Sequence, residues 1–456
     1  MDAAGAAQRD PPDALMSLLV RNASIITMND AFDIVDGDVS IRGGRIDAIG
    51  SNLSGPHQRT IDARGGFLLP GLVQTHIHLC QTLFRGYADD LPLLEWLRRR
   101  VWPMEAAHTA ATLRTAARAA ATELLASGTT AVLTMETVHD TDAVIEAVVD
   151  SGLRAVVGKC MMDRPADGVP ARLCEDTRRS IDESVALKKQ WDGAANGRIA
   201  AAFAPRFAIS CSRELLEAVA SLSSRDAALV HTHASESRDE IEAVRRLSGG
   251  MSNIAYLASV HLASPRLCAA HCVWVDEREQ SLLAEHDVKV LHCPGSNLKL
   301  GSGVAPIAEM RLRGITVSLG ADGAACNNRL DMFEEMRLAA MLQAMRRGPG
   351  ALTARDALTM ATRAGARTVG LEAEIGSLEP GKRADVIVVD RRGVHQSPDV
   401  DPYSTIVYAS RSTDVRTAIV DGEVLVDEFA PVRVDRAEVA AAATAEARAL
   451  ARRAGL

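Results

Sequence analysis

Residues 69–86, "LPGLVQTHIHLCQTLFRG", place an apolar run (Phe67, Leu68, Leu69, then Leu72 and Val73) directly before His76 and His78. In an extended strand, residues two apart share a face. The two imidazoles therefore stand side by side at a strand end, where they could grip one ion. Two ordinary polar residues at a strand end is the plainer reading of this stretch taken alone, and the rest of the chain decides between them.

The same texture recurs along the chain. Short apolar runs follow at 129–136 ("TTAVLTME"), 153–163 ("LRAVVGKCMMD"), 198–208 ("RIAAAFAPRFA"), 227–236 ("AALVHTHASE"), 267–274 ("LCAAHCVW"), 288–297 ("VKVLHCPGSN") and 316–323 ("TVSLGADG"). Helix-like stretches such as "TAATLRTAARAAATELLAS" (109–127) and "SRDEIEAVRRLSG" (237–249) lie between them. Eight strand–helix repeats predict an α/β fold, a (β/α)8 TIM barrel over residues 67–373.

The flanks read differently. Residues 17–66 alternate apolar and polar positions between tight turns, and 374–430 return to that pattern. They predict one composite β-sandwich built from both chain ends. Residues 431–456 are Ala-rich and predict a C-terminal helix. Residues 1–16, "MDAAGAAQRDPPDALM", read as a disordered extension without a basic start and apolar stretch.

Bulk composition fits a globular enzyme, with 47% hydrophobic and 24% charged residues. Aromatics are only 3%, so Ala, Val, Leu and Ile must build the core. A formal net charge of -8 argues against a general phosphate-binding surface, so no nucleic-acid partner is expected. No run approaches a membrane span. Eight cysteines are scattered without close pairs. Cys80, Cys160, Cys211, Cys272 and Cys293 sit within or beside apolar runs, as buried free thiols do, and a cytoplasmic location is expected.

Barrel enzymes assemble their sites at the C-terminal ends of the strands. The run ends here carry His76 and His78, Glu136 and His139, Lys159, Arg206, His231 with His233 and Glu236, His271, His292, and Asp322. Seven of the twelve histidines fall at or just beyond these ends, which scattered core histidines would not do. The joint pattern favours the metal reading of His76 and His78. His76, His78, His233 and Asp322 are the best ligand set for one divalent cation, with room for a water. Glu236 follows His233 by three residues and suits a proton shuttle. His271 would orient the water or polarise the substrate, and Asp322 could also take the water's proton. His231 shares a face with His233 and reads as a packing or hydrogen-bonded neighbour. His292 reads as a satisfied barrel histidine, and His108, His139, His261 and His286 as surface or loop residues. Lys159 is placed with the substrate-binding residues, because four ligands suffice for one ion without a carbamylated bridge.

"LPGLVQTHIH", "HTHASES", "AHCVW", "SNLKLGSGVAPIAEM" and "LGADGAACNNRLDMFEEMRLAAMLQ" together resemble the amidohydrolase superfamily, in its branch of purine and triazine aminohydrolases. The resemblance runs from about residue 17 to 430. It implies a TIM barrel with a β-sandwich, one zinc or iron ion with zinc expected, hydrolytic release of ammonia and a homo-oligomer. Its ligand pattern falls on His76, His78, His233 and Asp322, and its catalytic Glu and His on Glu236 and His271. "LFRGYADDLPLLEWL" and "GADGAACNN" are similar to the methylthioadenosine, S-adenosylhomocysteine and 5'-deoxyadenosine deaminases, which would place Glu95 at the ribose hydroxyls. "HIHLCQT" and "APRFAISCS" are similar instead to guanine deaminases, where a Gln and an Arg read the base, here Gln81 and Arg206. The expected substrate is therefore a small purine, a 5'-modified adenosine first. Guanine and an s-triazine remain the alternatives.

Overall fold

A computed structural model describes residues 17–165 and 168–456. The expected disordered extension, residues 1–16, lies outside the described residues. All eight apolar runs contribute parallel strands to one sheet: Leu72–Ile77, Thr129–Met135, Arg154–Met161, Ile199–Pro205, Val230–Ala234, Leu267–His271, Lys289–His292 and Val317–Leu319. Each pairs with its sequence neighbour, as right-handed strand–helix–strand units require. The two ends of the sheet meet through Thr75, whose hydroxyl bonds Ser318 Oγ at 2.8 Å and donates to Leu319 O at 3.0 Å. Asp322 N donates to His76 O at 3.0 Å beside them. Closure there needs Gly320, since a Cβ at that position would stand 2.4 Å from His76 O. The architecture is the predicted (β/α)8 barrel.

These strands are buried on both faces, which explains why they read as continuous apolar runs rather than alternating ones. Val73, Ala131, Leu133, Val156, Ala202, Cys268, Ala270 and Leu291 fill the barrel interior. The outer faces pack on helices such as Ala110–Ala126, which buries Leu113, Ala117, Ala120, Ala121 and Leu124 at three- and four-residue spacing.

The remaining strands form a separate nine-stranded sheet from both chain ends. This is the composite β domain expected from the two chain ends; its strands form one hydrogen-bonded sheet that curls back through the Arg45–Arg383 bridge around its own apolar core. One boundary is corrected here. Phe67–Pro70, expected to open the barrel, belongs to this sheet, between Val386–Val389 and Leu18–Ile26. The apolar run continues through Gly71, where the chain leaves one sheet for the other. Gly71 N donates to Asp385 O at 2.9 Å, and any Cβ there would fall 2.0 Å from Thr130 Oγ1. The two sheets are tied by Arg154, on the third barrel strand, which donates to both Asp385 oxygens at 2.7 and 2.9 Å with both side chains buried.

The C-terminal helix runs Arg436–Arg453 and packs on Ala110–Ala126. Its Leu450 and Ala451 join an apolar cluster with Leu83, Phe84, Trp96, Trp102, Met135 and Phe207 over the C-terminal ends of the strands. Among the described residues, no helix is long and apolar enough to cross a membrane.

Candidate active site

The strand ends deliver the predicted ligands to one place. His76 lies on the first barrel strand and His78 just beyond it, His233 is on the fifth, and Asp322 follows the eighth. His76 Nε2 and His78 Nε2 stand 3.4 and 3.2 Å from Asp322 Oδ1. His233 Nε2 is 3.3 Å from His78 Nε2. His271, at the end of the sixth strand, joins them: ligand atoms of His76, His233 and His271, and likewise of His76, His78 and Asp322, lie within 4.8 Å of one another. Every one of these side chains is buried.

The outer nitrogens explain the orientation of the rings. His76 Nδ1 bonds His231 Nε2 at 2.7 Å, and His78 Nδ1 donates to Met135 O at 2.7 Å. His233 Nδ1 donates to Arg206 O at 2.8 Å, and His271 Nδ1 to Asn297 Oδ1 at 2.9 Å. Each outer contact fixes a ring and leaves Nε2 facing the centre, as supporting hydrogen bonds do for metal-ligating histidines. The inward nitrogens of His76 and His271 have no hydrogen-bond partner among the described residues. Asp322 accepts from Ser296 Oγ and from Gly323 N, each at 2.7 Å. Orphaned imidazole nitrogens beside a fixed carboxylate fit a divalent transition ion. Phe207 stacks on His233 with centroids 4.3 Å apart.

Glu236 is buried next to this cluster. Its Oε2 is 3.5 Å from His271 Nε2, and its Oε1 has no hydrogen-bond partner among the described residues. Burial, and then the Asp322 and Glu240 carboxylates, push the Glu236 carboxyl well above its usual range. The arrangement can therefore hold a proton beside a bound ring. Ser235, His271, Cys272 and Asp322 all adopt left-handed backbone conformations, at φ of 54, 71, 46 and 63°. Such strain gathers at functional sites.

Gln81 and Arg206 are brought together by a residue the sequence reading passed over. Glu105 Oε1 accepts from Gln81 Nε2 at 3.0 Å and from Arg206 Nη2 at 3.1 Å, while its other oxygen pairs with Arg206 Nη1. All three side chains are buried, leaving Gln81 Oε1 and Arg206 Nε without partners among the described residues. Glu95 and Lys159 are not brought to this group. Glu95 pairs with Arg99 at 2.5 Å, its side chain 45% exposed. Lys159 Nζ is held by both Glu175 oxygens, at 2.9 and 2.7 Å. His108 is no surface residue: it is fully buried, bonding Thr112 Oγ1 at 2.9 Å and Cys80 O at 3.1 Å. His292 is buried with neither ring nitrogen bonded among the described residues, so it is not satisfied as expected.

Three further buried glutamates hold the turns. Glu136 accepts from Leu79 N and Cys80 N, at 3.1 and 2.9 Å, after the first strand. Glu240 accepts from Ser235 N and Glu236 N after the fifth. Glu335 accepts from Gly295 N after the seventh, at 3.0 Å, and from Asn327 Nδ2 after the eighth, at 2.8 Å. Glu136 stands just past the second barrel strand, where its run end singled it out; Glu240 and Glu335 lie inside helices, where a glutamate usually reads as solvated, and of these only Glu240 had a legible signal, the Ser237-x-x-Glu240 spacing at a helix start.

The model of the Amidohydrolase family matches residues 67–425. The chain is 39% identical to a 5'-deoxyadenosine deaminase of Methanosarcina acetivorans, over 96% of this chain and 100% of that one. It is 37% identical to a 5-methylthioadenosine/S-adenosylhomocysteine deaminase of Pelotomaculum thermopropionicum, over 96% and 100%. Among solved structures, an adenosine deaminase of Xanthomonas campestris with bound zinc superposes with a TM-score of 0.89 at 31% identity, covering 95% of this chain and 98% of that one. The chain belongs to the amidohydrolase family.

Proposed function

We propose that the protein is a metal-dependent hydrolytic deaminase of a 5'-modified adenosine: 5'-deoxyadenosine, methylthioadenosine or S-adenosylhomocysteine. It converts the ring C6–NH2 and water into an inosine-type carbonyl and ammonia. The observation that carries the chemistry is the unpartnered Glu236 carboxyl oxygen beside the converging nitrogens of His76, His78, His233 and His271. The names of the relatives support the substrate class.

His76, His78, His233 and Asp322 would hold the ion, zinc by expectation and iron as the alternative. Such an ion supplies Lewis-acid activation of water at neutral pH. Asp322 accepts the proton lost by the attacking water. Glu236 delivers its proton to a ring nitrogen, takes up the hydroxyl proton of the tetrahedral adduct and gives it to the departing amine, and is reset by the proton held on Asp322. His271, fixed by Asn297, orients the reacting oxygen. Gln81 Oε1 offers an acceptor and Arg206 Nε a donor to the polar edge of the ring. The geometry favours Glu105 over Glu95 as the acidic group of the pocket, because Glu105 is buried against both.

Guanine is the second reading, favoured by those same two unpartnered atoms. The deciding experiment is ammonia release from 5'-deoxyadenosine, methylthioadenosine, S-adenosylhomocysteine, adenosine, guanine and a chloro-triazine. Turnover of the 5'-modified adenosines with guanine inert is expected. Turnover of guanine alone overturns the first reading.

A further inference from the structure

Ser237 and Glu240 have the spacing of a capping box, in which the glutamate at the third helical position reaches back to the serine's own amide. Helix Arg238–Leu247 begins in the usual way, with the Ser237 hydroxyl accepting from Glu240 N at 3.2 Å. The Glu240 carboxylate, however, overshoots the serine. Its Oε2 accepts from Glu236 N at 2.6 Å, and its Oε1 from Ser235 N at 3.2 Å and Asn253 Nδ2 at 2.5 Å. The side chain is fully buried.

The turn it grips is strained. Ser235 sits at φ +54°, a left-handed conformation that a non-glycine residue keeps only when its surroundings hold it there. The Glu236 side chain does not fix itself: Oε1 is unpartnered and Oε2 stands 3.5 Å from His271. Its aim is set by its backbone, and one carboxylate holds the two amides that define that backbone.

We infer that Glu240 is a positioning residue, clamping the Ser235–Glu236 turn so that the Glu236 carboxyl points at the reacting ring. The inference rests on the reading of Glu236 as the proton carrier. Glu240 touches neither the ligand set nor a substrate, so its whole effect on rate passes through Glu236.

The test is a double-mutant cycle on the metal-loaded enzyme, with whichever substrate of the panel the wild type turns over. Glu240→Gln offers one acceptor oxygen in place of two, and kcat is expected to fall roughly 10- to 100-fold, as for a reacting group displaced by an ångström. KM should stay within about twofold and metal content should be unchanged, since neither uses Glu236. In a Glu236→Gln background the same substitution should cost less than about twofold, because the group it aims is gone. Asn253→Ala, which frees one side of the clamp, should show a smaller loss that also vanishes in that background, and it serves if Glu240→Gln does not fold. Multiplying losses, or wild-type kcat in Glu240→Gln, would overturn the inference. A wild type that turns over nothing in the panel overturns the functional reading instead. Amide exchange then decides the clamp: Ser235 and Glu236 should exchange faster in Glu240→Gln, and unchanged exchange overturns it.

Discussion

The proposed function concentrates its proton transfer in one side chain, Glu236. Removing its proton without changing its shape, as in Glu236→Gln, is expected to lower kcat by about 10²–10⁴ while metal content holds, measured by steady-state rates and metal analysis. His231 acts one layer out. It fixes the His76 ring through the 2.7 Å bond to Nδ1, so His231→Phe should weaken metal affinity by about 10- to 100-fold in a competition titration with a chelator. Glu335 carries a stability signature. Burial pushes its carboxyl up to about 8, above an ordinary value of 4.5. The folded state thus binds a proton that the unfolded chain releases. Its contribution to stability is full below pH 4.5 and is lost as pH rises through about 8. Glu335→Gln should flatten that part of a Tm-against-pH curve, and an unaltered slope would place the titration elsewhere.

At the level of elements, the barrel was legible because parallel strands buried on both faces leave unbroken apolar runs. The predicted ligands were legible because they fall where those runs stop, as with His76, His78, His233 and Asp322. Phe67–Pro70 was not legible as a sheet strand of its own. Hydrophobicity continues across Gly71, and only the closeness of Thr130 marks the change of sheet. Glu105 and Glu335, and the contacts of Glu136, were hidden for a different reason. Their partners are backbone amides and side chains distant in sequence, and no local spacing announces such contacts. Gln81 and Arg206 are 125 positions apart and meet only through Glu105. Between the two sheets, Arg154 and Asp385 form a buried bidentate pair. Asp385→Ala leaves the buried guanidinium with only Asp421, at 3.8 Å, as a counter-charge, and should destabilise by about 3–5 kcal/mol in denaturant titrations. Its kcat in the folded state should match wild type, because Arg154 begins its strand at the end remote from His76.

For the whole molecule, the proposed ion would couple metal binding to the fold. The inward nitrogens belong to residues far apart in sequence, so an ion held by His76, His78, His233 and Asp322 would staple the barrel across its closure. Adding zinc to the stripped protein at about 100 times its dissociation constant should stabilise it by ~2.7 kcal/mol, read as a rise in Tm. A Tm indifferent to zinc would count against the ligand set. The shared sheet has a consequence for synthesis. Phe67–Pro70 receives one of its two flanking strands, Val386–Val389, only after the entire barrel has been translated. With ~300 residues intervening, at about 5–20 residues per second, that strand edge leaves the ribosome and waits on the order of half a minute for its partner. The nascent chain spends that interval with an open, apolar β-edge, a surface prone to pairing with the wrong strand until Val386–Val389 emerges.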